Sequence, residues 1–288
     1  MVELAQFIAR HDANSAGFSA QNLWRMRQFY RAYHAKPKLS AVLRELNWTS
    51  NLLILGKCRG PAEREFYLHA ASRERWSSRE LERQLKHGLY ARTVLHPPKL
   101  SAVLRELHPQ AATAFKDTYA LSFLGLPAKH SEAALQQGIV AKLKDFLCEL
   151  GRDFCFVGEQ YPLRVGRKEY HLDLLFYHRG LQCLVAVELK VEEFQPEHIG
   201  KLQFYLEALD RDVRKPHEQP SIGVLLCATK DNEVVEYSLS RSTAATLVAE
   251  YAARLPARQL WRRKLQEFYQ DLRRSQPARP PPQNSQQC

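Results

Sequence analysis

The chain has 288 residues, 45% of them apolar and 25% charged, with only 12 glycines. That length suits one large domain or two small ones with a packed core, and the composition excludes a collagen, a fully disordered chain and a small disulfide scaffold. An excess of 42 basic over 31 acidic residues leaves a formal charge of +11, which favours attraction to nucleic acid or an anionic surface but says nothing about chemistry.

The longest apolar runs, such as Leu52–Leu55 and Cys183–Val187, fall far short of the roughly 20 residues that span a bilayer, so no membrane partner is expected. The amino terminus, with Glu3, His11 and Asp12, lacks a basic segment followed by an apolar core, and no secretory signal is read there. The six cysteines form no CxxC pair; Cys148, Cys155, Cys183 and Cys227 sit in apolar surroundings, where cysteine behaves as a small buried hydrophobe. These features fit a reducing compartment and a cytoplasmic protein.

In chain order, Ser19 precedes an apolar face formed by Leu23, Met26, Phe29, Tyr30 and Tyr33, with Arg25, Arg27 and Arg31 mostly on the other side. A second helix is predicted to start near Pro61, a residue suited to a first helical turn. Ser77-Ser78-Arg79-Glu80 then reads as a capping box opening a further helix through Leu81, Leu85 and Leu89. Two helices joined by a few residues, with basic side chains such as Arg79 and Arg83 on the second, suit either a helix-turn-helix or an ordinary helical hairpin with a solvated face. The string Lys-Leu-Ser-Ala-Val-Leu-Arg-Glu-Leu occurs at both Lys38–Leu46 and Lys99–Leu107, each time after a proline. The residues after the two copies differ, so they read as matching connectors rather than a solenoid repeat.

After about residue 112 the character changes. A helix is predicted from roughly Ser131 to Leu150, ended by Gly151. Three β-rich runs come next, Phe154–Val165, Tyr170–Tyr177 and Cys183–Leu189, with turn signals between them. A helix over about Pro196–Leu209, a strand over Ser221–Ala228 and a helix over Ser242–Ala253 complete an α/β domain on a mixed sheet. A basic helix from about Ala257 to Arg274 carries Trp261, Leu265, Phe268 and Leu272. The expected organisation is therefore a mainly helical domain at 1–112, an α/β domain with its basic carboxy-terminal helix at 113–274, and a disordered Pro/Gln-rich tail at 275–288.

The chemistry concentrates at Asp173 and at Glu188-Leu189-Lys190, the chain's only acidic–x–Lys triplet. Side chains alternate along a strand, so Glu188 and Lys190 share one face. A hairpin closed near Gly180 sets Asp173 across from Glu188. Charges at the end of an apolar strand cost free energy unless they are paired or bound to metal. Two carboxylates beside an ammonium suit a hard divalent cation such as magnesium, which polarises a phosphoryl oxygen and activates water. A strand-end ion pair with no catalytic role is the other reading, and spacing alone leaves both open. His171 lies close enough to touch this site, or to bond a carboxylate.

Asp173 and Glu188-Leu189-Lys190, on a helix–strand–strand–strand framework, resemble the PD-(D/E)xK nuclease signature. The wider text resembles the YhcG-type nucleases of that superfamily, in Phe18-Ser19-Ala20-Gln21-Asn22-Leu23, Trp76-Ser77-Ser78-Arg79-Glu80-Leu81, Phe156-Val157-Gly158-Glu159-Gln160, Leu172-Asp173-Leu174-Leu175-Phe176-Tyr177 and Gly200-Lys201-Leu202-Gln203-Phe204-Tyr205-Leu206. The resemblance implies a restriction-endonuclease-like mixed sheet flanked by helices, preceded by a winged-helix-like, DNA-binding helical domain at 1–112. It implies Asp173 and Glu188 as metal ligands, Lys190 as the catalytic lysine and Glu132 as the acidic residue given by the preceding helix. Related nucleases often carry a Gln-xxx-Tyr pattern on the next helix. Here Lys201 and Tyr205 stand in those places and take a supporting, nucleic-acid-contacting role, and Leu172 replaces the motif's proline. Arg25, Arg27, Arg79 and Arg83 are the remaining expected nucleic-acid contacts. The implied activity is a Mg²⁺-dependent deoxyribonuclease, with Mn²⁺ as a substitute, serving DNA recombination, repair or defence against foreign DNA. The alternative is a non-catalytic nucleic-acid-binding or regulatory protein on the same fold. RNA as substrate stays open, and a homodimer would suit an enzyme that cuts both strands.

Overall fold

The computed structural model describes residues 1–11, 17–254 and 263–270. It divides into two compact units, the first Met1–Tyr90 and the second starting at Ala91. The first unit is built from helices α1 (Val2–His11), α2 (Ala20–Tyr33), α3 (Ser40–Glu45), α4 (Trp48–Lys57), α5 (Pro61–Arg73) and α6 (Ser78–Lys86), and the division falls within α7 (Leu89–Leu95). Short polar residues start these helices by satisfying orphan amides. The side chains of Ser19, Asn47 and Ser77 accept from the backbone N–H groups of Asn22, Ser50 and Glu80, and Pro61 occupies the first turn of α5. Leu23, Ile54, Tyr67, Leu68, Leu81 and Leu85 form the buried interior, whereas α1 buries no residue. Among the described residues up to Tyr90 there is no strand.

The second unit contains β1 (Lys99–Leu100), α8 (Ala102–Leu107), α9 (Ala111–Ala114), β2 (Thr118–Ala120), α10 (Glu132–Ala141), α11 (Leu143–Leu150), β3 (Phe154–Val165), β4 (Lys168–His178), β5 (Cys183–Glu193), α12 (Glu197–Asp212), β6 (Gln219–Thr229), α13 (Asn232–Ser240) and β7 (Thr246–Ala252). The seven strands form one mixed sheet in the order β1-β7-β6-β5-β4-β3, with β2 also pairing β7. β3–β4 and β4–β5 are antiparallel and form a meander, whereas β5–β6, β6–β7 and β2–β7 are parallel. Residues 99–111 belong to the sheet domain because β1 pairs antiparallel with β7 and Leu100, Leu104 and Ala111 enter its core.

Both faces of the sheet are covered, as expected for a sheet with parallel connections. On one face Leu135 and Ile139 of α10 and Phe146 and Leu150 of α11 pack on Leu174, Phe176, Val185, Val187 and Leu189. On the other, Ile199, Leu202, Leu206 and Leu209 of α12 and Val235 and Leu239 of α13 pack on Leu175, Ala186, Leu225 and Val248.

Three expectations are corrected. The helix predicted over Ser131–Leu150 is broken at Lys142, whose φ of −119° and ψ of 37° leave the helical region and separate α10 from α11. The segment Ser242–Ala253 is not helical: Thr246–Ala252 is the strand β7, inserted between β6 and the short β1 and β2, and the helix precedes it, capped by Asp231. Cys155 is exposed, although Cys183 and Cys227 are buried. The two copies of the nine-residue string also diverge. In the first, Pro37–Leu39 is a 3₁₀ turn running into α3. In the second, Lys99–Leu100 is a strand and Ser101 caps α8 by accepting from Leu104 N. At the carboxy-terminal end residues 263–270 are helical, whereas Trp261, Leu272 and the Pro/Gln tail lie outside the described residues. No described helix is long and apolar enough to cross a membrane.

Candidate active site

The β4–β5 hairpin pairs Leu174 with Val187, which sets Asp173 level with Glu188. The Leu189 N–H donates to Asp173 Oδ2 at 2.8 Å. Val187 and Leu189 point into the α10–α11 layer, so Glu188 between them faces α12. There its carboxylate is 1% exposed. Lys201 of α12 donates to Glu188 Oε1, and Lys190 Nζ lies 3.5 Å from the same oxygen. Lys190 also donates to both oxygens of Glu132, at 3.1 and 3.2 Å. Glu132 opens α10, where Ser131 caps the helix by accepting from Ala134 N. Tyr205, one turn beyond Lys201, places its ring 5.3 Å from the Lys201 ammonium and donates to the His171 carbonyl at 3.1 Å.

Asp173, Glu188, Lys190, Glu132, Lys201 and Tyr205 therefore converge from β4, β5, α10 and α12. The His171 imidazole turns instead to Glu169, 3.4 Å away. Arg25, Arg27, Arg79 and Arg83 all belong to the first unit. Arg25 lines an open cleft of about 1120 Å³ between α2 and α4, shared with Gln28 and Arg31. Arg27 and Arg79 are exposed. Arg83 folds back on Glu80 of its own helix, with Nε and Nη2 donating at 2.9 and 2.8 Å.

Two side chains at Asp173 stand outside the expected set. Gln136 Nε2 donates to the Asp173 carbonyl at 3.1 Å, and Gln160 Nε2 donates to Gln136 Oε1 at 2.8 Å while lying 3.4 Å from Asp173 Oδ1. Gln136 comes four residues after Glu132, a spacing that puts both on one face of a helix and is legible in sequence. The contact of Gln160 is not, because it depends on an irregular strand.

Burial, and next to it the charge of Asp173, push the Glu188 carboxyl above the usual carboxylate range; Lys201 and Lys190 oppose this without cancelling it. Desolvation pulls the Lys201 ammonium down, but its bond to Glu188 and the attraction between the two charges raise it overall. Glu188 Oε2 is buried and has no hydrogen-bond partner among the described residues. A buried acceptor without a donor costs about 1–3 kcal/mol, more when charged, and two carboxylates repelling one another add to that cost. Both features fit a seat for a hard divalent cation, whose preferred ligands are oxygens. No cluster of three or more His, Cys, Asp or Glu side chains able to hold a metal occurs among the described residues.

A carboxylate on one strand, an acidic–x–lysine triplet on the next and a carboxylate from the helix before them match the order of residue types in the PD-(D/E)xK signature. Residues 112–266 match the family described as the YhcG PDDEXK nuclease domain, and residues 1–92 match the DUF1016 N-terminal domain. The chain belongs to the YhcG PDDEXK nuclease family. A curated relative, "Putative nuclease YhcG" of Escherichia coli (strain K12), is 38% identical over 198 residues, 67% of this chain and 52% of the relative. The chain thus aligns with about half the length of that relative. Among solved structures, a repair endonuclease from Pyrococcus abyssi (14% identity, TM-score 0.30) aligns over 44% of this chain and 48% of its own. A complex titled EndoMS–dsDNA2 (16% identity, TM-score 0.30) aligns over 46% and 47%.

Proposed function

We propose that the chain is a divalent-metal-dependent nuclease that hydrolyses phosphodiester bonds in DNA, with Mg²⁺ as its metal and Mn²⁺ as a substitute. The observation that carries this reading is the unsatisfied, buried Glu188 Oε2 beside Asp173, with the Lys190 ammonium held next to it. Asp173 and Glu188 would hold the cation. Bound there, it supplies a Lewis acid for a phosphoryl oxygen and a water of lowered pKa.

The chain's own groups do the rest. Glu132 holds the Lys190 ammonium from one side and Glu188 from the other, so its charge is fixed in advance where negative charge develops on phosphorus, the arrangement that costs no reorganisation during reaction. Lys201 anchors the far side of Glu188 and leaves Oε2 as that carboxylate's open position. Tyr205 braces Lys201 and the backbone at His171. The net charge of +11 favours a polyanionic substrate, and Arg25, Arg27, Arg79 and Arg83 of the helical unit are the proposed backbone contacts, with Arg83 needing to leave Glu80 to serve as one.

The test is cleavage of supercoiled plasmid, linear duplex, single-stranded DNA and duplex RNA with Mg²⁺, Mn²⁺ or EDTA. Lys190→Ala and Asp173→Ala are run beside the wild type. Metal-dependent cutting of DNA that falls by about 100-fold or more in both variants, with folding intact by circular dichroism, is the expected result. Cutting that persists in both variants, or in EDTA, would remove the assigned mechanism.

A further inference from the structure

Among the described residues three non-glycine positions have positive φ: Arg75 and Gln182 lie in turns, and Gln160 lies within a strand, at φ 42°. An L-residue adopts that conformation at a cost, and such residues persist where their surroundings enforce them. The pairing of β3 with β4 steps from Glu159↔Leu174 to Tyr161↔Leu172, so Gln160 stands opposite Asp173. The facing of β4 slips at the same level. Leu172 and Leu175 both pack in the α12 layer, whereas Leu174 and Phe176 pack in the α10–α11 layer; strict alternation would put Leu172 and Leu174 on one face. Strain and slip thus coincide at the proposed metal ligand.

Every oxygen of Asp173 is addressed from a different element. The carbonyl accepts from Gln136 of α10, Oδ2 accepts from Leu189 N of β5, and Oδ1 faces the Gln160 amide of β3. Gln160 and Gln136 are joined to each other at 2.8 Å. Helix α10 therefore presents Glu132 to Lys190 and, one turn on, Gln136 to Asp173.

We infer that Gln136 and Gln160 are a positioning pair that fixes the Asp173 carboxylate for metal binding, and that the strained backbone of Gln160 is retained to aim its amide there. The inference rests on the metal-dependent reading of the site. Residues that orient a ligand from behind act on affinity for the metal, typically by 10–100-fold.

Gln160→Gly separates this role from a purely architectural one. Glycine adopts φ 42° without strain, so the irregular strand is kept while the amide is lost. On the full-length chain, isothermal titration with Mn²⁺ should show the dissociation constant rising about tenfold or more, while the thermal midpoint stays level or rises. Gln136→Leu should weaken Mn²⁺ binding as well, and the double variant should be little worse than the weaker single one, because the two amides act as one unit. Wild-type affinity in Gln160→Gly, or affinity that falls only in step with thermal stability, overturns the positioning role and leaves the nuclease reading standing. A wild-type chain that binds no Mn²⁺ overturns both.

Discussion

Glu149 at the end of α11 and Glu188 near the end of β5 are both withdrawn from water, at 0% and 1% side-chain exposure, and each meets two basic side chains. Their surroundings differ in what is left open. Glu149 Oε1 accepts from the Ala120 backbone N–H at 3.0 Å and from Arg92 at 3.3 Å, and Lys116 lies 3.6 Å away while also donating to the Glu149 carbonyl. Its charge ties β2 to α11 and α7. Glu188 engages both lysines through Oε1 alone; Oε2 has no partner among the described residues, and Asp173 adds a like charge. A buried carboxylate bound to backbone and guanidinium braces a fold, whereas one left open beside another carboxylate sits at higher free energy, which a bound cation would lower.

The largest expected effect that tests this contrast is on stability. Glu149→Ala removes the buried counter-charge of the Arg92 guanidinium, which is 2% exposed and keeps its bond to the Thr118 carbonyl, and breaking a buried pair from one side costs about 3–5 kcal/mol. Thermal unfolding should show a fall in midpoint on the order of 10 °C. Glu188→Gln should act with the opposite sign, holding or raising the midpoint at neutral pH while abolishing Mn²⁺ binding and cleavage. If Glu188→Gln destabilises the chain as much as Glu149→Ala does, the distinction between brace and site collapses.

Acid should reveal the same difference. Because burial and Asp173 raise the Glu188 carboxyl, the folded metal-free chain holds that proton more tightly than the unfolded one. The carboxyl then contributes stability below its unfolded pKa and loses it as pH rises through the folded value. The gap in midpoint between Glu188→Gln and wild type should therefore narrow as pH falls through the Glu188 range. Over that interval Mn²⁺ affinity should decline, since protons compete for the same oxygens. The decline should begin above the ordinary glutamate value of about 4.3; titrations showing constant affinity down to that value would contradict the assignment.

Much of the site was legible because it is local. Asp173 and Glu188 meet across one hairpin whose turn signals set its register, and alternation alone puts Glu188 and Lys190 on one face. The contacts that complete it are not local. Lys201 reaches Glu188 only once α12 has crossed over the sheet, and Gln160 reaches Asp173 through a backbone conformation that no side-chain pattern announces. The misread of Ser242–Ala253 has the same origin. Its alanines suit a helix by propensity, but Thr246–Ala252 becomes a strand because β6, β1 and β2 supply partners for its backbone. The repeated nine-residue string makes the point with sequence held constant. Lys99-Leu100 is a strand because β7 lies beside it, and Lys38-Leu39 forms a 3₁₀ turn.

The smallest effects fall on the outer lysines and sharpen the comparison furthest. Lys116 is 21% exposed and Lys201 48% exposed on their side chains. Lys116→Ala leaves Arg92 and the Ala120 amide on Glu149, so the loss should stay near about 1 kcal/mol of stability, with no change in metal binding. Lys201→Ala removes a half-exposed partner, for which less than about 1 kcal/mol is expected. Its signature lies elsewhere. Without the Lys201 charge the Glu188 carboxyl rises further, so the acid edge of Mn²⁺ binding should move to higher pH while the thermal midpoint barely changes. Titrations of both variants across that edge decide the matter: an edge that stays in place in Lys201→Ala, together with a stability loss matching that of Lys116→Ala, would mean that Glu188 is held as a brace in the manner of Glu149.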